Sequence, residues 1–187
     1  MSRWRPDARE RLERAAVDLF LEQGFAATTV PQITARAGLT TRTFFRHFAD
    51  KREVLFGGSE IPAMVSRMFE EAPPDAGPMA IVVEGLRSVI AARFEGRREE
   101  LRVRRGIIRS DPGLRERELH KRDALSEAIR DGFRARGVEP TQAALLAETA
   151  VTLLFVSVER WLDDDGDRGL FTIVEEALAS LREAISG

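Results

Sequence analysis

Gln23 to Ala49 reads QGFAATTVPQITARAGLTTRTFFRHFA, a run without a single aspartate or glutamate. Acidic residues make up 31 of the chain's 187, so four or five would fall in such a stretch by chance. The run instead carries Arg36, Arg42, Arg46 and His47. It reads as two short helices joined by a tight turn. Thr29 and Gln32 have capping-box spacing, and Pro31 is tolerated in a first turn because its missing N–H has no intrahelical partner there. Val30, Ile33 and Ala37 face inward, and Gly38 ends the helix and permits positive φ. Thr40 caps the second helix, which runs to Phe48 with Leu39, Phe44 and Phe48 on its inner side. Thr41, Arg42, Thr43, Phe45, Arg46 and His47 are left on the other faces.

A helix, a glycine-centred turn and a second helix with polar outer faces make a helix-turn-helix. The second helix fits the major groove of duplex DNA and its early residues reach base edges. Arg42 can donate two hydrogen bonds to a guanine, and threonine methyls can meet thymine. Arg46 and His47 lie further along and suit phosphate, and Lys51 adds a cation. A carboxylate on such a surface would repel phosphate, so the acid-free run suits a polyanion. The candidate DNA contacts are Thr29, Thr40, Thr41, Arg42, Thr43, Phe45, Arg46, His47 and Lys51, and the expected partner is double-stranded DNA.

The stretch Gly24-Phe25-Ala26-Ala27-Thr28-Thr29-Val30, then Ile33-Thr34-Ala35-Arg36-Ala37-Gly38-Leu39-Thr40, then Thr43-Phe44-Phe45-Arg46-His47-Phe48 and Lys51, closely resembles the DNA-binding domain of TetR-family transcriptional regulators. The resemblance covers about residues 7–56. It implies an Ω-shaped all-α homodimer, usually a repressor released from its operator by a small ligand. It also implies that the last two helices build a four-helix dimer interface while the middle helices enclose the ligand. Two recognition helices about 34–36 Å apart would read a palindrome. This chain departs from the family pattern twice. The usual recognition-helix tyrosine is Phe45, which has no hydroxyl for a phosphate but keeps a ring for the sugar–phosphate chain. Position 42, often small in the family, is arginine, which points to a guanine in the half-site.

The rest of the chain reads as helical throughout, with no sustained period-two alternation. The fold class is all-α: an N-terminal three-helix helix-turn-helix domain plus a C-terminal helical ligand-binding and dimerisation domain. The expected domains are 1–57, with the motif at 29–48, and 58–187. The boundary falls at Gly57-Gly58, where two glycines would kink or split a helix opened by Asp50 and Glu53. Helices are predicted over 7–23, 79–95, 97–110, 114–136, 141–163 and 170–185. Asp7 and Glu10 are placed to cap the first, Gly24 to end it in the left-handed region, Asp111-Pro112-Gly113 to form a turn, and Thr141 to cap the next-to-last. Residues 1–58 hold ten Lys and Arg against seven Asp and Glu, and residues 59–187 hold nineteen against twenty-four. The two parts therefore face different partners.

The helix over 141–163 is apolar on nearly all sides and needs neighbours on two of them. With the stripe Phe171, Val174, Leu178, Leu181 and Ile185 of 170–185, it predicts a homodimer. It is interrupted by polar residues and reads as a buried helix, with no membrane partner. Met64, Met68, Phe94, His120, Phe133, Glu148, Thr152, Phe155 and Trp161 are candidate contacts for a small apolar or amphipathic ligand. The cluster Arg97, Arg98, Arg102, Arg104 and Arg105 is either a solvated face or a seat for an anionic head group. There is no cysteine, which excludes disulfides and thiolate metal sites and fits a reducing compartment. The start has no apolar signal segment, so a cytoplasmic location is expected. No nucleophile with a paired base, no phosphate loop and no histidine metal pair is visible, so neither an enzyme, a cofactor nor a metal is expected. The leading reading is a ligand-released repressor on a palindromic operator. The alternative is a DNA-binding protein of the same fold that recruits a protein partner without a ligand.

Overall fold

The computed structural model describes residues 7–56 and 61–186, with the side chains of 61 and 62 outside that description. Gly57 and Gly58, and with them the expected hinge and domain boundary, lie outside the described residues. Among those described the chain is all-α, in ten helices and no strand. They form two compact units, one drawn from 1–59 and 103–119, the other from 60–102 and 120–187.

The first unit holds α1 (Ala8–Gln23), α2 (Val30–Ala37), α3 (Thr41–His47) and α4 (Glu53–Phe56). Leu12, Ala15, Ala16, Leu19 and Phe20 form the buried stripe of α1, as the 3.6-residue period requires. They close on Ile33, Ala37, Phe44, Phe48, Val54 and Leu55. Three local expectations differ. Asp7 makes no side-chain cap bond, and Arg11 holds the backbone carbonyl of Asp7 through its amide instead. Gly24 has φ +84° with ψ 157°, so its backbone is positive-φ but extended rather than left-handed helical. Residues 103–119, assigned on sequence to the second domain, pack here because Ile107, Ile108 and Leu114 are buried in this core.

The second unit holds α5 (Ile61–Glu71), α6 (Pro78–Arg93), α9 (Pro140–Asp163) and α10 (Leu170–Ser186). Two further helices, α7 (Arg98–Ser110) and α8 (Pro112–Ala135), each have residues in both units. Pro112 and Gly113 lie inside α8 rather than in a turn, because Asp111 Oδ1 accepts from the Leu114 amide and proline fits a first turn. Glu139, not Thr141, caps α9: its carboxylate accepts from the Gln142 amide, and Pro140 occupies the first helical position. The core is built from Ile81, Leu86 and Ile90 of α6, Leu125, Ile129 and Phe133 of α8, and the inner faces of α9 and α10. On α10 the buried residues are Leu170, Ile173, Val174 and Leu178. Of the predicted stripe, Phe171 and Leu181 are half-buried and Ile185 is 76% exposed. Among the described residues α9 is the one helix long and apolar enough to cross a bilayer, and ten of its residues are buried in the protein.

Two glycines set the helix spacing in this unit. A Cβ on Gly85 would lie 2.1 Å from Met68 Sδ, and one on Gly132 2.2 Å from the Phe69 ring. Adjacent residues of α5 thus fill glycine slots on α6 and α8. Phe69 also meets Phe133 edge-on at 4.9 Å.

Candidate nucleic-acid interface

The helix-turn-helix is fastened by bonds that leave its outer face open. At the start of α2 the Gln32 amide donates to Thr29 Oγ1, and Gln32 Oε1 accepts from the Thr29 amide at 2.8 Å, closing the capping box. Gly38 takes φ +62° and ψ 39°, and its amide bonds back to Thr34 and Ala35. At α3 the Thr43 amide donates to Thr40 Oγ1 at 3.2 Å, and the two hydroxyls lie 3.0 Å apart. Side-chain caps such as these, reciprocal at α2 and one-sided at α3, satisfy orphan amides of a helix start. Arg11 of α1 donates to the carbonyls of Ala37 and Gly38 and so ties the turn to the core.

The cations of this unit divide into two kinds. Arg36 pairs with Glu22 at 2.5 Å, and that bond raises the Arg36 pKa and holds the Glu22 carboxyl below its ordinary value. The nearest acid before the acid-free run therefore neutralises one of its arginines. Lys51 Nζ donates to the carbonyls of Phe25 and Thr28, at 2.7 and 2.8 Å, and stands 4.2 Å over the Phe25 ring. Burial pulls the Lys51 pKa down, while Asp111 opposes it. Its ammonium holds the α1–α2 loop, which its sequence position did not suggest. Arg42 and Arg46 are exposed and have no hydrogen-bond or ion-pair partner among the described residues.

Arg42, Thr43, Phe45 and Arg46 line a shallow open hollow of about 470 Å³ on α3. Phe45 is 55% exposed, whereas its neighbours Phe44 and Phe48 are buried. Thr29, Thr40 and Thr41 are exposed beside them. His47 is half-buried, and its Nε2 is buried without a hydrogen-bond partner among the described residues. The structure thus brings Thr40, Thr41, Arg42, Thr43, Phe45 and Arg46 together on one short helix, and sets Lys51 apart from them by its bonds. Arg11 was not signalled by sequence, because the residues it holds lie 26 and 27 positions away.

This geometry agrees with three comparisons to known proteins. The family profile described as "Bacterial regulatory proteins, tetR family" matches residues 13–56, the segment that contains α2, α3 and α4. The HTH-type transcriptional regulator TcmR of Streptomyces glaucescens is 32% identical over 193 residues, covering 93% of this chain and 82% of that protein. The chain belongs to the TetR family of transcriptional regulators. Two solved structures share its fold. One is the TetR-family repressor FadR of Thermus thermophilus in complex with lauroyl-CoA, at TM-score 0.54 and 24% identity, covering 94% of this chain and 93% of that one. The other is the SmeT–triclosan complex, at TM-score 0.55 and 22% identity, covering 92% and 90%; SmeT is the repressor of a Stenotrophomonas maltophilia multidrug efflux pump.

The residues singled out for a ligand in this regulator are divided between core and surface. Phe133 and Trp161 are buried in the core of the second unit. Met68, Phe94 and Phe155 are partly buried against that core, and Met64 is half-buried. His120, Glu148 and Thr152 are exposed. Glu148 accepts from the buried Ser126 hydroxyl at 2.6 Å, and the Arg122 guanidinium lies 4.2 Å from the Phe155 ring centre.

The arginines from 97 to 105 are divided between the units and engaged by the protein. Arg98 donates to the carbonyls of Trp161, Asp164 and Gly166. Arg102 donates to those of Leu162 and Asp164. Both close the C-terminal end of α9, where free carbonyls and the helix dipole favour cations. Arg97 pairs with Glu100 at 2.9 Å. Arg104 is buried and bonds Glu13 at 3.1 Å and the carbonyls of Val54 and Leu55.

Proposed function

We propose that this regulator is a repressor that binds a palindromic operator as a homodimer and leaves it when a small apolar or amphipathic ligand binds the second unit. One observation carries the DNA half of this reading. On a helix-turn-helix whose other cations are paired or held by carbonyls, Arg42 and Arg46 stand exposed and unpartnered on α3. In the major groove Arg42 reads a guanine, Arg46 meets a phosphate, and Thr40, Thr41 and Thr43 flank them. Thr29 and His47 face the backbone on either side, and Lys51 acts by holding the loop that presents α2. Residues 1–57 form the DNA-binding part, with the motif at 29–48 and with 103–119 packed into the same unit, and the rest of 58–187 serves ligand binding and dimerisation. The protein acts in the cytoplasm.

The dimer reading is supported by a second observation. Leu145, Glu148, Thr152 and Val156 of α9 share one face by their spacing, and all four are exposed, Leu145 by 63% and Val156 by 54%. Ile185 of α10 is exposed as well. Apolar side chains at such positions suit a second copy. For the ligand, FadR holds lauroyl-CoA and SmeT holds triclosan. Lauroyl-CoA joins an apolar acyl chain to a polar, anionic head and triclosan is largely apolar; Met64, Met68, Phe94, Phe133, Phe155 and Trp161 are apolar side chains that suit such an acyl chain or ring.

The test is selection of sheared genomic DNA on the purified protein, followed by footprinting of retained fragments. The reading expects two protected major-groove segments about one helical turn apart on one face of the duplex. Retention of no fragment, or protection of a single groove segment, overturns it. Release of the retained DNA by lauroyl-CoA or triclosan supports the ligand half. Retention in the presence of both favours a regulator that recruits a protein partner instead.

A further inference from the structure

We infer that Phe45 and Arg42 together read a C5-methylpyrimidine immediately 5′ of guanine, with the methyl held between the phenyl ring and the guanidinium. This inference rests on the DNA-binding reading above and assigns a base step to it. Phe45 is more than half exposed on a helix whose other phenylalanines are closed into the core. Exposing an aromatic ring is unfavourable compared with burying it, and this ring has no hydroxyl to offer a phosphate. Whatever it meets in a complex must therefore be apolar. A duplex offers two such surfaces, the deoxyribose edges along the backbone and the C5 methyl groups in the major groove.

Position decides between them. Phe45 is one turn beyond Arg42 and adjacent to Arg46, and the three side chains line the same hollow. A guanidinium that donates to guanine N7 and O6 lies flat across the floor of the groove. Its face then meets the C5 substituent of the base on the 5′ side, because guanidinium planes are weakly hydrated and pack well on apolar groups. A ring lining that hollow closes over the same methyl. The ring is also held in place: it stands edge-on to the buried Phe44 ring, at 5.4 Å and 85°. The methyl belongs either to thymine in a TpG step or to 5-methylcytosine in a methylated CpG step.

Selection from random duplex DNA with the unaltered regulator supplies the sequence for the test. Each thymine of the selected site is then replaced singly by deoxyuridine, and the pyrimidine 5′ of the contacted guanine is also set to cytosine and to 5-methylcytosine. Loss of one buried methyl should weaken binding about three- to fivefold. The inference expects that loss for deoxyuridine and cytosine at this one position, with thymine and 5-methylcytosine close to equal. In Phe45→Ala and Phe45→Leu the four pyrimidines should bind within twofold of one another, because the coupled partner is gone. A selected site in which no deoxyuridine matters, or a methyl effect that persists unchanged in both variants, places the ring on the sugar edge and overturns the inference while leaving the DNA-binding reading intact. Failure to select any sequence removes that reading and this inference with it.

Discussion

Arg42 and Arg46 are one turn apart and have different work to do in a groove. An arginine bidentate to guanine distinguishes bases, whereas one on a phosphate adds affinity for every sequence. Arg42→Ala should therefore cost about 1–3 kcal/mol on the selected operator and relax preference at one base pair. Arg46→Ala should weaken binding to all sequences and flatten the log–log salt dependence by about 0.9. Fluorescence anisotropy on the operator and its single-base variants, across a salt series, separates the two. An equal loss on every sequence for Arg42→Ala would assign that side chain to the backbone. Lys51 has a third kind of role. Its ammonium bonds the carbonyls of Phe25 and Thr28, so Lys51→Met should lower unfolding stability by about 1–3 kcal/mol in urea titration. Unchanged stability would show that the clamp contributes nothing and return Lys51 to the phosphate contacts. The sequence alone gives all three the same formal charge. Position along the helix separates Arg42 from Arg46, but the sequence does not set these free arginines apart from Arg36 or Lys51, whose partners lie 14 and 23 to 26 residues away.

The caps of the helix-turn-helix itself are legible because their signals are local, whereas the Asp7 cap expected for α1 is not made. The Thr29–Gln32 box, the Gly38 turn and the Thr40 cap each involve residues within a few positions, and the structure has all three. Where two local signals compete, sequence decides less well. Thr141 and Glu139 both can cap α9, and the carboxylate wins because Pro140 sets the first helical residue after it. Its bonds to the amides and hydroxyl at 141 and 142 hold the Glu139 pKa below its ordinary value of 4.5. A depressed carboxylate contributes stability that is complete above that ordinary value and disappears as pH falls through the lower folded-state value. The difference between thermal melts of Glu139→Ala and the parent should thus be full at pH 6 and shrink as pH falls below the ordinary value of 4.5, whereas a constant difference would contradict a charged cap. The glycine slots are invisible to any reading of periodicity, since Gly85 and Gly132 matter through Met68 and Phe69. Gly132→Ala forces the Phe69 ring aside and should destabilise the second unit by about 1–3 kcal/mol. Urea unfolding followed by far-ultraviolet circular dichroism would report it, and a neutral substitution would mean that α5 shifts without cost.

On the scale of the whole molecule, the all-α class is plain from the sequence, and membership of the TetR family follows from kinship over almost the full chain. The division into units is less legible. Residues 103–119 join the first unit through Ile107, Ile108 and Leu114 and through Arg104 on Glu13 and Arg117 on Glu53, pairings that span 64 to 91 residues. The ligand candidates, apolar and polar residues alike, are distributed between core and surface. The exposed face of α9 leads to a prediction of its own. Sedimentation should find the parent a dimer and Leu145→Glu/Val156→Glu a monomer, with weaker operator binding in the variant. A dimer that survives both charges would move the interface elsewhere. The central claim is that α3 presents its two free arginines to DNA, and charge reversal tests it most directly. Gel-shift titration of Arg42→Glu/Arg46→Glu on retained genomic fragments at low salt should give no retarded species, with helical circular dichroism and oligomeric state as in the parent. Retardation equal to the parent's would contradict the account.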